Sequence, residues 1–221
     1  MERKMAWITN RGVVKMKVLL VNGSPNKNGC TNEALKEIEK VLKENKIETE
    51  IFWIGNKAIS GCLGCEKCLE NKKCVINDIV NKFIEKAKST DGFIFGTPVH
   101  YAGASGFITS FMDRAFYGKA NIYKGKPAAC ITSSRRAGGI SAFDRLNKYF
   151  AYSCMPIISS NYWNGVFGAT KEEVRKDLEG MQTMRILANN MAWILKCIEA
   201  GKKENIYFPK TEKKIMTSFI R

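Results

Sequence analysis

Hydrophobic positions along the chain switch repeatedly between a strand-like and a helix-like arrangement. Val18, Leu19, Leu20 and Val21 form an uninterrupted apolar run closed by Asn22-Gly23, as in a parallel strand covered on both faces. From Thr31 the spacing becomes helical: Ala34, Leu35, Ile38, Val41 and Leu42 share one face, with Thr31 placed as the N-cap. The alternation continues through a second strand at Thr49–Ile54, a helix over about 78–89 and a third strand at Gly92–Gly96. Phe107, Ile108, Phe111, Met112, Ala115 and Phe116 mark a strongly core-forming helix. Lys126–Ser133 predicts a fourth strand with Cys130 buried in it, about 141–152 a helix, Met155–Ser159 a fifth strand, and 171–201 one long helix.

Strands and helices that alternate in this way predict a doubly wound α/β fold, here a five-stranded parallel sheet in the order 2-1-3-4-5. Residues 16–201 form the domain, with a cysteine-rich loop inserted at 60–75. Residues 1–15 read as an N-terminal extension, because Met16-Lys17 directly precedes the first strand, and 202–221 as a basic C-terminal tail without periodicity.

Composition narrows the picture modestly. At 221 residues and 45% hydrophobic content the chain can bury a sizeable core. Its apolar runs fall short of the ~18 residues that a membrane span needs, and its N-terminus lacks a signal peptide's apolar centre. The expectation is a cytoplasmic protein with no membrane partner. The formal charge of +15 admits anionic partners, but Lys36, Lys40 and Lys43 alternate with Glu37, Glu39 and Glu44. Dispersed in this way, the charge describes a solvated surface whose net field attracts phosphate-bearing cofactors. With no helix-turn-helix pattern, nucleic acid is disfavoured.

Three loops follow strands one, three and four and meet at one sheet edge. The first, from Asn22 to Thr31, feeds a helix whose leading N–H groups lack partners, a natural anion site to which Ser24, Thr31 and Asn32 add donors. An ordinary βα turn rich in Gly and Asn has the same pattern, and neither the P-loop nor the G-x-G-x-x-G spacing is present. The second, TPVHYAGASG, carries His100, the sole histidine, readable as a proton donor or as a packed side chain, and Tyr101. The third runs from Ser133 to Gly139. Asp113 and Arg114 read as a structural ion pair, and Trp163 as core or interface.

Cys62, Cys65, Cys68 and Cys74, half of the eight cysteines, form Cys-x2-Cys-x2-Cys-x5-Cys. A domain of this size needs no disulfide staples. Four thiolates at this spacing suit one iron-sulfur cluster, zinc accepts the same sulfurs, and simple packing of the loop is the third reading.

GSPNKNGCTN, the four-cysteine motif and TPVHYAGASG together give the stretch Met16–Gly168 a close likeness to a known family. It resembles the flavodoxin-like NADPH-dependent FMN reductases and, more narrowly, the iron-sulfur flavoproteins. The resemblance implies an FMN phosphate on Ser24, Asn26, Gly29, Cys30, Thr31 and Asn32. It places Pro98, Val99, His100, Tyr101, Ala102 and Gly103 along the isoalloxazine. Ser133, Arg135, Arg136 and Gly138 then face the pyrimidine edge, where an arginine stabilises reduced flavin. It also implies a 4Fe-4S cluster on the four cysteines, a homo-oligomer (dimer or tetramer) with flavin near the subunit interface, and a ferredoxin-like or other one-electron partner. The expected function is an FMN oxidoreductase or electron-transfer protein linking cluster and flavin. Alternatives are an NAD(P)H-dependent FMN, quinone or azo reductase without a cluster, and a thiol or metal redox sensor that binds nucleic acid.

Overall fold

Apolar runs too continuous to leave either face in water are expected at the centre of a parallel sheet, and that is where they lie. The computed structural model describes residues 15–117, 120–212, 215–217 and 219, so the extension expected at 1–15 falls outside it except for Lys15. The strands are β1 (Lys17–Asn22), β2 (Glu48–Trp53), β3 (Gly92–His100), β4 (Gly103–Ala104), β5 (Ala128–Ser134) and β6 (Gly165–Phe167). The longer helices are α1 (Cys30–Glu44), α3 (Ile79–Lys88), α4 (Gly106–Phe116), α6 (Gly139–Tyr152) and α8 (Leu178–Lys203). Shorter ones are α2 (Lys67–Asn71), α5 (Ala120–Tyr123) and α7 (Lys171–Lys176).

The sheet runs β2-β1-β3-β5-β6, all parallel, with β4 antiparallel on the end of β3. Among the parallel strands this is the expected 2-1-3-4-5 order. The sixth, two-residue strand β4 is an addition. Its faces differ in texture. One packs Phe83, Phe93, Phe95, Phe111, Phe150 and Tyr123 under α3, α4 and α6, with ring centroids of Phe83 and Phe111 5.0 Å apart. The other packs leucines, isoleucines, valines and methionines under α1 and α8.

Four expectations are corrected. The fifth strand is Gly165–Phe167, not Met155–Ser159, which makes only an isolated parallel bridge between Ala128 and Ile157. Pro156 has no N–H to continue a ladder there. The single helix expected over 171–201 is two: Asp177 intervenes, its carboxylate accepting from Gly180 N at 2.9 Å and Phe167 N at 2.7 Å, and so starts α8 afresh. Gly29, not Thr31, is the N-cap of α1. Asp113 and Arg114 do not pair with each other; neighbours on a helix point to different sides. Arg114 turns inward to Asp78, whereas Asp113 accepts from Arg145 at 3.4 Å and from Tyr149.

Trp163 is half exposed, edge-on to Tyr162 at 4.5 Å between centroids. The expected tail is partly structure: Lys202 and Lys203 end α8, and Ile206 N donates back to Gly201 O at 2.8 Å. No helix among the described residues is long and apolar enough to cross a membrane.

Candidate functional site

Parallel strands bring their carboxyl ends to one edge, and here four of them end around a single cleft of about 690 Å³. The loop after β1 contributes Ser24, Asn26, Gly29, Cys30 and Thr31; β3 contributes Pro98 and Val99; the end of β5 contributes Ser133 and Arg135. The loop Gly168–Glu172 after β6 forms the remaining wall. That loop is absent from the sequence reading, because its strand was placed elsewhere.

The first loop is held by its own side chains. Ser24 Oγ accepts from Asn26 N at 3.1 Å, Asn26 Oδ1 from Asn28 N at 3.2 Å, and buried Asn22 Oδ1 from Ser24 N at 3.0 Å. Such local turns are what Ser and Asn do best. No side chain caps α1 at Gly29, so its first N–H groups face the cleft as donors, at the positive end of the helix dipole. Thr31 Oγ1 and Ser133 Oγ share a hydrogen bond of 2.8 Å, which ties the first loop to the third. Trp53, at the end of β2, donates its indole N–H to Ser24 O at 2.8 Å. Sequence reasoning missed that anchor, since nothing local links Trp53 to Ser24.

Among the described residues, charge at the cleft leaves one cation, Arg135, outside the ion pairs that line it. Glu33, in the first turn of α1, is engaged by Arg175 at 2.6 and 3.0 Å, while Arg135 lines the cleft together with Lys171 and its ion-pair partner Glu172, 3.8 Å apart. Burial pushes the Cys30 thiol up; a backbone hydrogen bond opposes this and Glu173 and Glu172 add to it. Cys30 therefore stays a neutral thiol, its sulfur donating to Gly168 O at 3.6 Å, and adds no negative charge. Hydroxyls, an open helix end and the Arg135 guanidinium on one cleft suit a flavin phosphate.

The other expected residues stand off the cleft walls. Asn32 is buried behind them and accepts from Asn22 at 3.4 Å, and Arg136 is exposed. His100 and Gly103 pair as the ends of a two-residue hairpin whose tip is Tyr101 and Ala102, with φ of 49° and 57°. His100 and Tyr101 are exposed. Gly138, at φ 87°, packs behind this tip, where a Cβ would come within 2.7 Å of Ala102 Cα. A left-handed alanine is strained where glycine is not. Ala102→Gly is expected to raise unfolding stability by about 1 kcal/mol in urea titration; an unchanged or lowered midpoint would contradict the strain.

Some distance along α4, Cys62, Cys65, Cys68 and Cys74 all line a second, tight pocket of only about 20 Å³, together with Arg114 and Tyr117. All eight cysteines are free of disulfides. No three His, Cys, Asp or Glu side chains among the described residues stand close enough together to hold a metal ion, so the four sulfurs share a pocket without converging on a point. As a donor set, four thiols on one pocket fit a thiolate-ligated metal or cluster. Glu66 accepts from the Tyr117 hydroxyl at 3.2 Å and its charge holds that phenol above the usual range.

A doubly wound sheet of this order with its cleft at the carboxyl edge is a flavodoxin-like fold. The solved structure of RosB with bound 8-demethyl-8-formylriboflavin-5'-phosphate superposes with a TM-score of 0.67 at 13% identity, covering 93% of this chain and 94% of that one. Residues 16–170 match the NADPH-dependent FMN reductase family, and the chain belongs to it. It is a flavin-dependent oxidoreductase. An iron-sulfur flavoprotein of Methanocaldococcus jannaschii is 29% identical over 192 residues, 83% of this chain and all of the relative. An FMN-dependent NADPH-azoreductase of Staphylococcus aureus is 28% identical over 134 residues, 60% of this chain and 66% of the relative.

Proposed function

We propose that this oxidoreductase moves electrons between FMN in the sheet-edge cleft and a 4Fe-4S cluster on Cys62, Cys65, Cys68 and Cys74, acting as a homo-oligomer with a one-electron partner protein. The observation that carries this reading is the sharing of one pocket by all four thiols, in a chain whose separate cleft suits a flavin phosphate. Similarity over the whole length of an iron-sulfur flavoprotein, and 83% of this chain, supports it.

Bound FMN exchanges electrons in pairs or singly and a cubane cluster one at a time, so the two together couple two-electron chemistry to one-electron carriers. The chain's own part is binding and charge placement. Ser24, Asn26, Gly29, Cys30, Thr31 and Asn32 receive the phosphate, with Asn32 acting from behind the wall. Pro98 and Val99 flank the ring and His100, Tyr101, Ala102 and Gly103 form the strap beyond it. Ser133, Arg135, Arg136 and Gly138 make the loop that meets its polar edge, with Arg135 as the cation nearest the cleft.

An NAD(P)H-dependent FMN, quinone or azo reductase is the second reading, favoured by the azoreductase similarity. The test is a visible spectrum of anaerobically purified protein with iron, sulfide and zinc analysis. Flavin bands with about four irons per chain are expected. Flavin without iron, or with zinc, rejects the cluster and leaves the reductase.

A further inference from the structure

Arg114 is the most enclosed charge in the described structure, its side chain only 1% exposed, and it sits directly under the cysteine loop. A guanidinium has five N–H donors in a fixed plane. Here each has an acceptor. Nη1 donates to Asp78 Oδ2 at 2.6 Å and Ser60 O at 3.3 Å; Nη2 donates to Asp78 Oδ1 at 2.8 Å and Ile76 O at 3.0 Å; Nε donates to Cys74 Sγ at 3.3 Å.

These acceptors are not scattered. Ser60 lies just before the first cysteine of the motif, and Ile76 and Asp78 just after the last, so one side chain closes the base of the whole cysteine segment. Asp78 also caps α3, accepting from Val80 N at 3.0 Å, which fastens that base to the core. Cys74 is doubly held. Asn81 brackets its backbone, accepting from Cys74 N and donating to Cys74 O, both at 2.9 Å, while Arg114 fixes its sulfur.

We propose that Arg114 is a positioning residue that closes the cysteine segment into a cluster-ready loop and, through its N–H to the Cys74 sulfur, sets the reduction potential of the cluster. The proposal rests on the cluster reading of the four cysteines. Asp78 cancels most of the guanidinium charge, so the local effect on the sulfur is that of a directed donor. A donor to a ligand sulfur favours the electron-richer, reduced cluster and raises its potential. Lysine keeps the charge but has three donors on a tetrahedral nitrogen, and cannot serve Asp78, two carbonyls and a sulfur in one plane.

The experiment compares wild type, Arg114→Lys and Asp78→Asn as anaerobically purified full chains. Iron and sulfide are counted, and the cluster is titrated by electron paramagnetic resonance. Hydrogen exchange is followed over 60–78 in the metal-free proteins. In R114K, exchange over 60–78 rises and the reduced-to-oxidised ratio of the cluster, at the wild-type midpoint, falls about tenfold, equal to about 59 mV for a one-electron couple. In D78N, where Asn still caps α3, the bidentate hold on Arg114 is lost and exchange over 60–78 in the metal-free protein rises. This second variant decides the matter if R114K does not fold. An R114K protein with wild-type exchange and midpoint overturns the proposal, as does a D78N protein with wild-type exchange over 60–78. Iron-free wild type instead rejects the cluster reading itself, and the potential-setting role with it.

Discussion

A Cys65→Ala chain is expected to purify with its flavin and lose most of its iron, from about four atoms per chain to less than one. Cys65 is exposed on the loop between β2 and α3, away from both faces of the sheet, so its truncation opens no core cavity. Surface changes of this kind alter stability by about 0.5 kcal/mol or less. The loss of iron therefore reports ligation and not unfolding, which an unchanged thermal midpoint of the metal-free protein, against metal-free wild type, checks. Full iron retention in C65A refutes the ligand assignment.

Gly23→Ala should do the reverse, costing flavin and sparing iron. Gly23 is buried where β1 turns into the first cleft loop, and its N–H donates to Gly96 O at 2.9 Å. An added Cβ meets Gly96 O at 2.7 Å and two Ile108 carbons at 2.7 and 2.9 Å. The oxygen belongs to the central strand β3 and cannot swing away, so the loop must lift. Overpacking of this kind costs about 1–3 kcal/mol. A lifted loop also misplaces the open end of α1, and FMN affinity of the apoprotein is expected to fall at least ~10-fold, about 1.4 kcal/mol. Fluorescence titration with FMN measures it. Wild-type affinity in G23A would remove this loop from the flavin site.

The contrast between these variants shows which parts of the chain were legible beforehand. β1, β3 and β5 were readable because each holds an apolar run bounded by a break, β2 by its Ile51-Phe52-Trp53 end, and the first loop because Ser, Asn and Gly precede a strongly amphipathic helix. β6 was hidden because it has three residues of which Val166 alone is buried, while nearby Met155–Ser159 is more hydrophobic yet carries Pro156. The break at Asp177 was hidden because apolar spacing runs on through Leu178, which is largely exposed. The cysteine pocket was visible as a spacing. Its closure by Arg114 was not, because the contacts to Asp78 and Cys74 join residues 36 and 40 positions apart. Trp53 under the first loop is the same kind of omission: a long-range hydrogen bond on a residue whose type says only that it belongs in a strand.

The two textures of the core bear on how this chain can drift. Interlocked rings resist change, because each ring is shaped by several others, and alanine at Phe83 would cost about 3–5 kcal/mol. Beneath α8, Met181, Met184 and Met191 are soft fillers, and swaps among Met, Leu and Ile there cost less than about 1.5 kcal/mol. The unforgiving side carries α4, whose first turn follows Ser105, a donor to Gly23 O at 3.4 Å, and whose last turn holds Arg114. Descendants of this sequence can therefore rewrite the α8 face generation by generation, while the helix that follows the brace on Gly23 and ends in the cysteine pocket is inherited nearly unaltered.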